Sequence, residues 1–221
     1  MSRRDNAHNR CKRCRMLGGL CVCDLIPSPP IETRTRLVLI IHRYEDRKPT
    51  NTGRLAAECL ANSETIVRGH ESLPTPPFVC PPGRQPLLLF PHEGATSLAE
   101  LPPPASPVTL IVPDGNWRQA SKVRNRVPGL RDIPCVSLPV GAPSMYRLRA
   151  EAHETGLATI EAIARALGLL EGSAVQHALE HVFRAMVDRT LWSRGKVRTA
   201  NVTGGIPEGV ERWQLRAWRA P

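Results

Sequence analysis

The 221-residue chain has no run of about 18 apolar residues, the length a membrane-spanning helix requires. Its charged start is not followed by the apolar stretch of a secretory signal. A cytoplasmic protein without a membrane partner is therefore expected. No internal repeat is evident, and no segment calls for an obligate protein partner. Acidic residues are scarce beside basic ones: 20 Asp and Glu against 30 Lys and Arg give a formal charge of +10. Such an excess suits a polyanionic partner but does not by itself separate nucleic acid from an acidic membrane face. The basic groups are dense from Arg3 to Arg15 and recur at Arg118, Lys122, Arg124, Arg126, Arg147 and Arg149. Several separated patches fit an extended phosphate backbone better than one small anion. With 41% apolar residues the chain can bury one full core plus a small appendage, but its length is short for two ordinary large domains.

Cysteines number only seven, yet Cys11, Cys14, Cys21 and Cys23 fall within thirteen positions while Cys59, Cys80 and Cys135 are scattered. In a reducing compartment such clustering favours a metal over disulfides. The spacing C-x2-C-x6-C-x-C brings four thiolates from two short knuckles, and Gly18 and Gly19 ease the turn between them. Four thiolates form a closed tetrahedral zinc site with no position left for a reacting water, so the expected role is structural. An iron-sulfur centre or free thiols are the alternatives. Residues 1–30 read as a basic zinc-binding segment ending at Pro27-Ser28-Pro29-Pro30, too poor in apolar groups to fold without a staple. Arg10, Lys12, Arg13 and Arg15, with Arg3 and Arg4, make it a candidate nucleic-acid contact, or simply a solubilised metal module.

Residues 31–221 read as one α/β domain. Arg36–His42 and Val108–Val112 are short, nearly continuous apolar runs, the pattern of strands buried in a parallel sheet. Glu64–Arg68, Leu87–Pro91 and Ile133–Leu138 are further strand candidates. Helical spacing begins at Arg54, with Thr50 or Thr52 as possible caps, and returns over Ala158–Leu170 and Val175–Thr190 with a break at Gly172. Strands alternating with helices predict a mostly parallel sheet flanked by helices.

The run Thr109–Trp117 delivers a carboxylate (Asp114), an amide (Asn116) and an indole (Trp117) at the end of a buried strand, where open α/β sheets bind ligands. Asp114 could take a proton or orient a polar group, Asn116 both donates and accepts, and Trp117 can stack on a base or close a core. The plainer alternative is a capped helix with Trp117 packed inward.

The cysteine pattern, Thr50-Asn51-Thr52-Gly53-Arg54-Leu55, Leu89-Phe90-Pro91, Asp114-Gly115-Asn116-Trp117, Tyr146-Arg147-Leu148-Arg149 and Leu157-Ala158-Thr159-Ile160-Glu161-Ala162-Ile163 together resemble the DTW-domain family. The likeness runs over about residues 11 to 200. Two positions depart from it: Asn116 stands where the family motif D-x-T-W has Thr, and Ala158 where a segment often reads L-S-T.

The resemblance implies a tRNA-uridine aminocarboxypropyltransferase, with a knotted sheet related to the SPOUT methyltransferases. Such enzymes transfer the 3-amino-3-carboxypropyl group of S-adenosylmethionine to uridine N3 of tRNA and release methylthioadenosine. Asp114, Asn116 and Trp117 are then the expected catalytic residues, Asp114 as proton acceptor. Asn51, Thr52, Arg54, Leu138, Gly141, Tyr146, Arg149 and Thr159 are the expected donor-binding residues, with Arg54 or Arg149 gripping a carboxylate or phosphate. A SPOUT-type RNA methyltransferase and a non-catalytic zinc-containing RNA-binding protein are the rival readings.

Overall fold

A computed structural model of the chain describes residues 7–70, 72–148 and 156–212. Among the described residues six strands make one sheet: β1 (Arg36–His42), β2 (Ser63–Arg68), β3 (Gln85–Leu89), β4 (Thr96–Ser97), β5 (Val108–Asp114) and β6 (Cys135–Ser137). Their order is β2-β1-β5-β3-β6-β4, and every pairing is parallel. The apolar runs of β1 and β5 lie side by side in the interior of the sheet, each flanked by a strand on both edges, which is why both are apolar on both faces. The two-residue edge strand β4 was not foreseen, because so short a segment carries no periodicity.

Helices α1 (Arg43–Asp46), α2 (Thr52–Glu58), α3 (Trp117–Ala120), α4 (Val123–Arg126), α5 (Thr159–Glu171) and α6 (Ser173–Ser193) cover the sheet. Gly172, at φ 108°, separates α5 from α6 as expected. Alternation along the strands sorts the core into two faces. Leu37, Leu39, Leu87, Leu110 and Val112 pack with α2, α5 and α6, whereas Val38, Ile40, Leu88, Ile111 and Cys135 pack with Val123, Val127 and Leu130. Among the described residues no helix is long and apolar enough to cross a membrane.

The cysteine segment is built into the first of these faces. Met16, Leu17, Leu20, Val22 and Ile26 are buried in the same core as α5 and α6. Arg189 of α6, fully buried, locks them together. It donates to both carboxylate oxygens of Asp24 at 3.0 and 2.9 Å, to the carbonyls of Gly204 and Gly205 at 3.1 and 2.9 Å, and to that of Cys21. All five N–H donors of the guanidinium thus have acceptors, the condition for burying such a group. The hydrogen bonds from Arg189 hold the Asp24 carboxyl below its ordinary value.

Candidate active site at the carboxyl edge of the sheet

Asp114 ends β5 and is only 4% exposed. Strand alternation turns its side chain to the face covered by α2 and α5. Its Oδ2 accepts from Asn51 Nδ2 at 2.6 Å and its Oδ1 from Thr159 Oγ1 at 2.6 Å. Asn51 also caps α2, its Oδ1 accepting from Arg54 N at 2.9 Å. The cap is therefore Asn51, where Thr50 or Thr52 was expected. Thr52 serves a different helix: its hydroxyl accepts from Ile160 N at 3.4 Å in the first turn of α5. Gly53 is required by contact, since a Cβ there would sit 2.7 Å from Asp114 Oδ2 and 2.9 Å from Leu39 Cδ1. The carboxylate so lies at the starts of two helices, whose N-terminal partial charges favour an anion.

Glu161 binds the preceding loop to this centre. Buried in α5, it accepts from Ser144 Oγ at 2.6 Å, Met145 N at 2.7 Å and Ala158 N at 2.8 Å. The contact with Ala158 N supplies a cap contact at a position whose own side chain has no acceptor. Tyr146 is buried against Phe183, and Leu138 packs at the margin of the same core. Gly141 is exposed, and a Cβ there would meet nothing closer than Arg165 at 3.4 Å, so no close approach demands a glycine. Glu161 stands in the Leu157–Ile163 segment quoted for the family likeness, but its bonds to Ser144 and Met145, 17 and 16 residues away, leave no local signal.

Arg54 pairs with Asp46, as does Arg15 of the cysteine segment. Its guanidinium therefore already has a carboxylate partner. Arg13 likewise pairs with Glu58 at 2.9 Å. Two of the basic residues expected to face nucleic acid are thus turned to intramolecular partners. Arg149, Arg3 and Arg4 lie outside the described residues.

Asn116 caps α3. Its Oδ1 accepts from Gln119 N at 3.0 Å, while Gln119 Oε1 accepts from Asn116 N at 2.9 Å. This reciprocal capping box fixes where the helix starts. Trp117 follows, 51% exposed, with its ring 5.2 Å from that of Phe90. The inward-packed alternative for the indole is thereby excluded.

The four cysteine sulfurs lie within 4.8 Å of one another, with Cys11 to Cys23 at 3.5 Å and Cys14 to Cys21 at 3.6 Å. A tetrahedral ion with metal–sulfur bonds of about 2.3 Å needs sulfurs roughly 3.8 Å apart, so the quartet fits a metal. Arg15, at φ 59°, makes the turn that brings the first pair around, and Arg15 N donates to Cys11 O at 2.9 Å.

The DTW-domain family model matches residues 8–191, and the chain belongs to that family. A macaque (Macaca fascicularis) protein named tRNA-uridine aminocarboxypropyltransferase 2 is 30% identical over 196 residues, covering 85% of this chain and 65% of its own length. The Drosophila melanogaster protein of the same name is 29% identical, covering 75% and 68%. The Arabidopsis thaliana tRNA-uridine aminocarboxypropyltransferase A is 28% identical, covering 85% and 84%. The chain thus spans slightly less than two thirds of the macaque relative. No solved structure matches it.

Proposed function

We propose that the protein is a tRNA-uridine aminocarboxypropyltransferase that uses S-adenosylmethionine as donor. One observation carries the reading. Three segments far apart in sequence, Asn51-Thr52-Gly53, Asp114 and Thr159, meet on a single buried carboxylate. All three belong to motifs of the family, and none of these contacts is needed merely to close an α/β core.

In this reading uridine N3 loses its proton to Asp114, directly or through a water. N3 then attacks the Cγ of the donor, the Cγ–S bond breaks, and methylthioadenosine leaves. A positioned base of this kind contributes about 10²–10⁴-fold. Asn51 and Thr159 orient the carboxylate. The donor lies along the α2 and α5 side, against Thr52, Leu138, Gly141 and Tyr146, where Glu161 fixes the loop. Asn116 acts through the cap that sets Trp117, and Trp117 offers a face to a base. The cysteine quartet holds a structural zinc ion, and the sheet is knotted in the SPOUT manner. Transfer RNA and a cytoplasmic setting complete the reading.

The test is incubation of purified protein with S-adenosylmethionine and unmodified tRNA. Methylthioadenosine and 3-aminocarboxypropyl-uridine are the expected products by mass spectrometry. S-adenosylhomocysteine with methylated RNA would replace this reading with methyl transfer, and tRNA binding without any turnover would replace it with a non-catalytic role.

A further inference from the structure

On the sheet face opposite Asp114 lies a cleft of about 260 Å³ that the reaction outlined above does not use. Its lining includes the buried Leu88, Cys135 and Pro113, the partly buried Phe90 and Arg124, and the exposed Asn125, the last two from α4. Phe90 is only partly buried and leans on the exposed Trp117. Arg124 is held in place without being neutralised: Nε donates to Arg131 O at 3.0 Å, and Nη1 lies 3.2 Å from His92 Nε2. No carboxylate pairs with it among the described residues. Arg118, Lys122 and Arg126, on the same short helical stretch, also lack one. The carboxamide of Asn125 has no hydrogen-bond partner there either, leaving one donor group and one acceptor beside the aromatic wall.

We infer that this cleft is the subsite for one unstacked RNA nucleotide next to the reacting uridine, its base on Phe90 and its phosphate on Arg124. The inference rests on the transferase reading. Size and charge set the ligand class. Sites for drug-sized ligands run to roughly 300–1,000 Å³, so this cleft suits a single base rather than a whole S-adenosylmethionine. That donor carries a net positive charge and no phosphate, which a rim of unpaired cations disfavours. An RNA nucleotide brings the missing anion and a π-face, the two features that sequence-tolerant single-strand sites use. Asp114 points to the other face, so the base in the cleft is a neighbour of the reacting one. Contacts to flanking nucleotides are a common way for base-modifying enzymes to select a sequence context.

The test uses the full chain carrying Phe90→Leu or Arg124→Gln, each checked for an unchanged melting temperature. Affinity for unmodified tRNA is read by fluorescence anisotropy across a salt series, and affinity for S-adenosylmethionine by calorimetry. Phe90→Leu is expected to weaken tRNA binding about tenfold, within the range for loss of one stacked base. Arg124→Gln is expected to lower the salt slope by about 0.7, one single-strand phosphate. Donor affinity and kcat at saturating tRNA should stay within about twofold of the parent in both. Weaker donor binding would assign the cleft to adenine of the donor. A fall in kcat with unchanged tRNA affinity would assign it to the reacting base, and no change at all would remove it as a nucleotide site. Each of those results overturns the inference. Because tRNA binding is read without turnover, a parent protein that binds tRNA but transfers nothing would sink the transferase reading and leave the cleft measurable.

Discussion

The two faces of the sheet meet at its carboxyl edge with opposite chemistry. On the α2 and α5 side one buried carboxylate is held by Asn51 and Thr159, and the loop before α5 is held by Glu161. On the α3 and α4 side Arg118, Lys122, Arg124 and Arg126 have no carboxylate partner among the described residues, and His42 and Arg68 at the ends of β1 and β2 belong to the same side. Burial, then the charges of Arg68 and Arg43, push the His42 imidazole below its ordinary value, so this side holds a histidine that resists becoming a further cation. Arg68 is buried with its Nε unsatisfied, and its only protein acceptor among the described residues is the Gln119 carbonyl. A satisfied network fixes geometry, whereas an unsatisfied cationic surface leaves its binding capacity for an outside anion. The first suits chemistry on a positioned group and the second suits RNA.

The largest test of this contrast removes the support under the satisfied side. The cysteine quartet shares its core with α5 and α6, so stripping the zinc ion proposed for it, or Cys11→Ser, should unfold that face and not merely a terminal appendage. Structural zinc contributes on the order of 10 kcal/mol in small domains. Chelation followed by circular dichroism and thermal melting should show a fall in the main transition. A melting curve unchanged in an otherwise metal-free sample would show that the segment is dispensable to the core.

Asp114→Asn comes next. It keeps the shape but removes the charge, and it sets an amide donor against either Asn51 Nδ2 or Thr159 Oγ1. Transfer is expected to fall about a hundredfold or more. The salt dependence of tRNA binding should be untouched, because the carboxylate faces away from the basic side. Single-turnover assays and anisotropy on one preparation separate the two. A changed salt slope would break the division between faces.

Gly53→Ala reaches the same carboxylate from behind. The added methyl cannot fit at 2.7 Å from Asp114 Oδ2 without displacing it. Overpacking of this kind costs about 1–3 kcal/mol, and a displacement on the order of 1 Å lowers rates about a hundredfold where orientation matters. The expected signature is a fall in kcat exceeding the loss in thermal stability. Equal transfer by Gly53→Ala and the parent would mean that the position of Asp114 is not critical.

Two interior strands of the sheet were legible because β1 and β5 are buried on both faces and so lack polar interruptions. Gly172 and the helices around it were legible for the same reason of pattern. The strand order was not, since parallel pairing is set by crossovers and leaves no local mark. Nor was the convergence on Asp114 legible from spacing: Asn51 and Thr159 lie 63 and 45 residues away. The family likeness singled out those segments without saying that they touch. Arg189 and Asp24, 165 residues apart, carried no signal at all. A buried arginine announces itself only once its acceptors are in place.

The smallest expected effect concerns Asn116, the departure from the family motif. A threonine there would have to supply the same acceptor for Gln119 N that Asn116 Oδ1 supplies now. Asn and Thr are both favoured helix caps, with Asn slightly the better, so Asn116→Thr should change stability by no more than about 0.5 kcal/mol. It should leave transfer within about twofold, because the cap and not the amide sets where Trp117 begins its helix. Asn116→Ala removes the acceptor and should cost about 1 kcal/mol, with weaker tRNA binding as Trp117 loses its anchor. Chemical denaturation of the three proteins beside their steady-state rates gives the comparison. A large gain or loss in kcat on Asn116→Thr, with stability unchanged, would mean that the amide touches the reacting groups. Asn116 would then belong to the chemistry rather than to the turn between the two faces.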